Sequence, residues 1–386
     1  DELAARSCAE LSRYSAQAGD LKAADDQLMI ARASAARRAD HPRIALRVDL
    51  AGGHIEIERA EHAKGAEICQ RTLAAATQLA DADLITESQS CLYDAYINNN
   101  EPAKALVAAR AMHDEALRAH GPDHPETVQS LLTVANAVAA TGDHAAAKPL
   151  WDEVFAAVAR VDGADSLDMM DALHDFALSQ TPSGATSTPE ALDAIQRAVA
   201  IAEKRFPPDN PQRGAMLEML ASAQGGLEHH EAAIAAYEKA IAVYEKLDDP
   251  SALARCLYNE ADELKQTNHC DRAMPLYARA TKVAEETGRL GQIAGASEYG
   301  RGACLFAAHE PDEAQQALEH SIAQLDSLGA PLFAAQSRWE LADELVQRGQ
   351  RAKGLALAKQ AVAQLAGQPE PAAQLSAQIS AWVAKH

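Results

Sequence analysis

A short polar turn recurs along this chain at a nearly constant interval. Gly19-Asp20, Glu61-His62, Asn100-Glu101, Gly142-Asp143, Glu228-His229, Asn268-His269, His309-Glu310 and Gly349-Gln350 follow one another at about 40 residues, with one gap of about twice that. Such a period marks a stack of like units, because each unit has an apolar face that it buries only against its neighbour. The period constrains the fold more than the 386-residue length does, since length alone would admit two or three globular domains.

The best-preserved unit is the segment 121–147, GPDHPETVQSLLTVANAVAATGDHAAA, where a His-Pro helix start, an apolar stripe and a Gly-Asp turn together specify a helical hairpin. Asp40-His41-Pro42, Thr188-Pro189, Asn210-Pro211, Asp249-Pro250 and Glu310-Pro311 likewise put a proline in a first helical turn, where its missing N–H needs no partner. Between these signals apolar residues keep a three-to-four spacing. Leu21, Ala24, Leu28 and Ala31 do so, as do Ala233, Tyr237, Ala240, Ile241 and Tyr244. The pairs Ala147/Trp151, Ala273/Tyr277 and Ala314/Leu318 occupy the place of Ala233/Tyr237 in other units.

The pattern predicts an all-α fold, an α-solenoid of nine hairpins forming one domain over 1–386. The units are 1–40, 41–81, 82–121, 122–163, 164–208, 209–248, 249–288, 289–329 and 330–368, closed by a cap helix over 369–386 with Leu375, Ile379, Trp382 and Val383 on its apolar face. The segment 181–188, TPSGATST, reads as a long inter-helix loop because Pro182, Gly184 and a run of hydroxyl residues do not sustain a helix. It is a candidate flexible insertion or modification site.

Composition narrows the partners. Aromatics are only 4% of residues, so the core has to be built from small side chains between closely packed helices. A net charge of −21, with no lysine- or arginine-rich run, argues against nucleic acid. Cys8, Cys69, Cys91, Cys256, Cys270 and Cys304 form no CxxC pair and several sit at apolar positions, which suggests small buried hydrophobes in a reduced, cytoplasmic setting. No apolar run is long enough for membrane insertion. The opening Asp1-Glu2-Leu3 is neither an initiator nor a signal segment, so the chain reads as a soluble piece of something longer.

Catalytic chemistry is hard to place. His174-Asp175-Phe176 lacks the glycine loop, strand lysine and catalytic loop of phosphoryl transfer. His54, Glu58 and His62 would align as zinc ligands only on an unbroken helix, and the pattern ends a helix near Arg59. His229-His230 and His269-Cys270 fall in turns. GASEYGRG, residues 295–302, lacks a nucleophile-elbow spacing, and Gly300 and Gly302 read as sites of close helix packing. No catalytic residue, cofactor or metal ligand is expected.

The turn, the alanine about four residues later and the aromatic four beyond resemble the tetratricopeptide repeat, with a period longer than its standard of about 34 residues. The GPDHPET start is similar to the kinesin-light-chain type. The alanine-rich array ending in AQISAWVAKH resembles the C-terminal repeat region of bacterial eukaryotic-like Ser/Thr protein kinases. The resemblance implies a right-handed superhelix whose first helices line a groove for a peptide or a partner's surface.

In kinesin-light-chain repeats those helices carry paired asparagines. Here the matching positions are Leu132-Thr133, Glu218-Met219, Tyr258-Asn259, Tyr299-Gly300 and Trp339-Glu340, and only Asn259 keeps the asparagine. Candidate groove residues are therefore Leu132, Thr133, Asn136, Glu218, Tyr258, Asn259, Asp262, Tyr299, Trp339, Glu340 and Asp343. Tyr258, Tyr299 and Trp339 suit either an aromatic surface or inter-repeat packing.

Glu340, Asp343 and Glu344, with Glu260, Asp262 and Glu263, suit a basic partner or a merely solvated acidic face. The reading is a non-catalytic protein-interaction scaffold, the regulatory part of a larger signalling protein such as a kinase. The alternative is a helical-repeat sensor of a small molecule, and the oligomeric state is open.

Overall fold

The computed structural model describes residues 2–38, 40–180, 187–288 and 290–386. Most of the anticipated 181–188 loop lies outside these residues. Two compact units emerge, Asp1–Pro182 and Ser183–His386. Every regular element among the described residues is an α-helix.

The first unit holds α1 (Glu2–Gln17), α2 (Leu21–Ala36), α3 (Pro42–Glu58), α4 (His62–Leu79), α5 (Ala82–Asn98), α6 (Pro102–His120), α7 (Pro125–Ala140), α8 (His144–Val161) and α9 (Leu167–Ser179). The second holds α10 (Pro189–Arg205), α11 (Pro211–Gly226), α12 (His230–Leu247), α13 (Pro250–Gln266), α14 (Cys270–Thr287), α15 (Gly291–Ala307), α16 (Pro311–Ser327), α17 (Pro331–Gln347), α18 (Arg351–Gln364) and α19 (Ala372–Lys385).

Local chemistry sets the ends of these helices. Asp20, Asp143, Ser166, Thr188 and Asn210 each turn a side-chain oxygen onto a free backbone N–H of the first turn, and Asp249 caps two. Within each hairpin the turn starts from a residue in the left-handed region: Gly19, Ala60, Asn100 and Gly142 in the first unit, Glu228, Asn268, His309 and Gly349 in the second. The next N–H then reaches back five positions in the C-terminal cap that ends a helix, as in Asp20 to Ser15 (2.9 Å) and His269 to Leu264 (2.8 Å). Glu228 and His309 hold φ of 61° without being glycine, which costs backbone energy that the surrounding hairpin offsets.

Consecutive helices pack pairwise, and first helices of successive hairpins also touch: α1 on α3, α3 on α5 and α7 on α9, then α13 on α15 and α15 on α17. Second helices make no comparable contact with one another among the described residues. First helices therefore line one face in each unit. The second helices supply the large core side chains, Trp151, Tyr277 and Leu318, each fully buried.

Close approach explains the buried glycines: a Cβ at Gly300 would fall on the Tyr277 ring, and one at Gly302 would lie 2.8 Å from Leu318 Cγ. These two glycines are packing sites, as their positions suggested.

Cysteine usage departs from the reading of isolated small hydrophobes. Cys69 in α4 is bonded to Cys91 in α5, and Cys270 in α14 to Cys304 in α15, while Cys8 and Cys256 are free. Both pairs join adjacent packed helices, so their proximity comes from stacking rather than from sequence spacing. No helix of the described residues is long and apolar enough to cross a membrane.

Candidate functional site

Polar side chains on neighbouring first helices meet because equivalent positions lie one repeat apart. In the first unit Arg43 reaches Asp83 (2.5 Å), Arg47 reaches Glu87 (2.9 Å) and His54 Nδ1 lies 3.8 Å from Asp94, each pair 40 residues apart. Asn136 of α7 donates to Asp175 of α9 at 3.0 Å. These rungs cross the first-helix face and leave a hollow between them.

That hollow is a cavity of ≈ 530 Å³. Arg6, Glu10 and Arg13 of α1, Arg47 and His54 of α3, Glu87, Tyr93 and Asp94 of α5, Met112 of α6, and Glu126, Gln129 and Thr133 of α7 line it. The volume falls within the range of small-ligand sites, and the lining mixes apolar floor with a few converging polar groups.

Burial shapes the charges in it. It pushes the His54 imidazole down to about 4, with Arg13 adding to the effect, so the ring is neutral near pH 7. It pushes Asp94 up to about 6 and the Tyr93 phenol up to about 12. Arg13 acts on both His54 and Asp94, opposing burial at the carboxylate. Arg6 and Arg13 stand exposed at the mouth. The site thus offers guanidinium donors, a neutral imidazole and carboxylate acceptors, which suits hydrogen bonding to an extended backbone or a zwitterionic ligand.

Of the groove residues expected from sequence, Thr133 lines this cavity and Asn136 belongs to the same unit's rung. Leu132 is 7% exposed and points into the core, because an apolar side chain in this helix gains more from burial than from a groove. Its place in the expected site is therefore corrected. The remaining eight lie in the second unit, largely engaged within it.

Glu218 takes Arg255 at 2.9 Å and the Tyr244 hydroxyl at 3.3 Å. Asp262 accepts from Lys265 (2.5 Å) and from the Tyr277 hydroxyl (3.2 Å). Asp343 accepts from Trp382 Nε1 (2.8 Å) and Gln347 (2.7 Å). Burial raises the Glu340 carboxyl, and Asp343 adds to it.

The three aromatics are half-buried and pack into separate apolar clusters. Tyr258 sits 6.2 Å from Tyr277, Tyr299 lies under Lys265, and Trp339 packs with Leu375 and Trp382 against the final helix. Asn259 is half-buried beside Tyr258. The second unit's face is thus tied up by its own side chains.

Residue-by-residue reading passed over Arg6, Arg13, Arg47, Tyr93 and Asp94, and weighed His54 only as a zinc ligand. The signal was present as opposite charges 40 apart, visible once first helices are laid over one another. His54 faces the cavity, while α3 ends at Glu58 and α4 begins at His62, so the candidate zinc ligands His54, Glu58 and His62 do not gather. Among the described residues, only His120, His124 and Glu126 bring three donors within 4.8 Å of one another.

Residues 187–246 match the family model for the tetratricopeptide repeat. No curated protein matches the chain. Solved structures share its fold: the apo form of RapI at TM-score 0.63 and 11% identity, covering 99% of this chain and 98% of that one. A signal-transduction ATPase with numerous domains from Pyrococcus horikoshii, described as carrying a tetratricopeptide repeat sensor, aligns at 0.60 and 11% identity over 87% of this chain and 51% of its own. A Rap protein complexed with competence and sporulation factor aligns at 0.50 and 12% identity over 100% and 99%. With the matched model, the recurring hairpins and the all-α stacking, the chain is an array of tetratricopeptide-like repeats.

Proposed function

We propose that this protein is a non-catalytic interaction module that takes a segment of peptide chain into the first-helix cavity of its first unit. The cavity carries the reading: ≈ 530 Å³, with Arg13, His54, Tyr93 and Asp94 converging from three neighbouring helices. A helical-repeat face of this kind presents rigid side chains, so a bound segment costs little ordering on the protein's side. A protein of the same fold is described in complex with competence and sporulation factor, which is in keeping with a bound factor here.

The second unit supports the reading by contrast, because the carboxylates that would attract a basic partner, Asp262 and Asp343, already hold Lys265, Tyr277 and Trp382.

The test is selection of binders from a displayed peptide library, followed by titration against two variants. Arg13→Ala with Tyr93→Ala weakens the selected peptide by more than about ten-fold, the loss of roughly 1.4 kcal/mol or more. Tyr258→Ala with Asn259→Ala and Trp339→Ala leaves it within about two-fold. A library that yields no binder, or a cavity variant that binds like the wild type, overturns the proposal.

The second reading is a small-molecule sensor, favoured by a cavity of drug-like size. A metabolite panel separates it, since a ligand at a hundred times its Kd raises stability by about 2.7 kcal/mol in a thermal-shift assay.

A further inference from the structure

We propose that His120, His124 and Glu126 form a binding site for a divalent transition-metal ion of the zinc class. The three residues sit where α6 ends and α7 begins. His120 is the last residue of α6, His124 is the N-cap of α7, and Glu126 lies in the first turn. One donor atom from each lies within 4.8 Å of the others, close to the mutual spacing that a single ion draws together with only side-chain adjustment.

The imidazoles are stacked, centroids 4.4 Å apart and planes 22° off parallel, and His120 Nε2 is 3.1 Å from Glu126 Oε2. Two imidazoles and one carboxylate are a ligand set that borderline ions prefer and that leaves a fourth position for water or a partner's group.

The connection is stiff. Gly121 takes a positive φ of 81° and prolines 122 and 125 restrict the backbone on either side of Asp123-His124. Asp123 is engaged elsewhere, accepting from Arg160 at 2.7 Å, so it does not compete for the ion. The existing contacts within the triad are weak enough to exchange: His124 Nδ1 takes the Glu126 N–H at 3.3 Å. On binding, each imidazole gives a nitrogen lone pair to the metal and carries a proton on its other nitrogen, and the ion sheds waters of its own hydration shell.

The chain's charge of −21 raises the local concentration of cations over its surface. Glu126 also lines the cavity, so an ion held there changes the charge at its rim.

The experiment uses the full chain without a histidine tag. Titration calorimetry with Zn²⁺ gives one equivalent, and Co²⁺ gives a visible absorption band of a low-coordinate nitrogen–oxygen site. His120→Ala and His124→Ala each weaken this event by more than about ten-fold, a loss that even outer-shell partners of a metal can reach. Glu126→Gln weakens it less, and far-ultraviolet circular dichroism checks that all three remain folded. A Cys8→Ser, Cys256→Ser variant binds like the wild type. No binding event in the wild type, or one unchanged by both histidine variants, overturns the site. Because the readout is metal alone, it stands or falls apart from peptide capture.

Discussion

The first-helix faces of the two units are built from the same repeat and are used differently. In the first, rungs from Arg47 to Glu87 and from His54 to Asp94 frame a hollow, and arginines stand at its mouth. In the second, the carboxylates at comparable positions are drawn into contacts with Lys265, Arg255 and the indole of Trp382, and aromatics fill the remaining space. The difference teaches that a repeat supplies geometry, while site or scaffold is decided by whether the partnered side chains leave a hollow between them or aromatics fill it.

The sharpest way to break the comparison is to remove an aromatic from each side. Tyr277→Ala, in the second unit's core, costs about 3–5 kcal/mol, the range for truncating a large buried ring. Tyr93→Ala, at the cavity wall, costs about 1 kcal/mol, because its ring loses fewer contacts. Urea denaturation measures both, and equal losses would erase the distinction between a filled face and a hollow one.

Proton linkage sharpens it further. His54, held down at about 4, contributes stability that is present above its unfolded value near 6.5 and is lost as pH falls from there toward 4. Asp94, raised to about 6, has the opposite sign: the fold gains stability as pH falls through 6 toward 3.8. The two offset in the wild type. His54→Gln exposes the gain on acidification and Asp94→Asn exposes the loss, each with a slope of at most about 1.4 kcal/mol per pH unit. Slopes of the same sign in both variants, measured by stability at pH 4.5, 5.5 and 6.5, would refute the assignment.

Trp382→Phe removes the indole N–H from Asp343 in the second unit and costs about 1 kcal/mol, read from the midpoint of thermal unfolding. The smallest effect belongs to the turns. Glu228→Gly and His309→Gly relieve left-handed backbone and raise stability by up to about 1 kcal/mol, whereas Gly142→Ala in the first unit lowers it by a like amount. A loss in either glycine variant, by the same thermal midpoint, would mean that those side chains contribute more than their backbone costs.

Much of the fold was legible because its signals are local. The Pro in the first turn of α7, the left-handed Gly142 and the Ala147/Trp151 pair lie within one hairpin, so chain order alone exposes them. The cavity was not legible residue by residue, because His54 and Asp94 are 40 residues apart and each looks like an ordinary polar residue on its own helix. Leu132 misled for a related reason: helical phase decides whether a position faces the groove or the core, and even a close match of the hairpin's motif does not fix that phase at each position. The cysteine pairs needed the stacking of α4 on α5 and of α14 on α15, which spacing does not report.

The main helix contacts all run between neighbours or next-neighbours in the chain. In kinetic terms this is a low contact order, and closing such contacts requires only short loops to be ordered. Within each unit a hairpin can therefore settle on its neighbour as soon as both have formed, so folding can start at any hairpin and spread to the next without waiting for the unit's last helix.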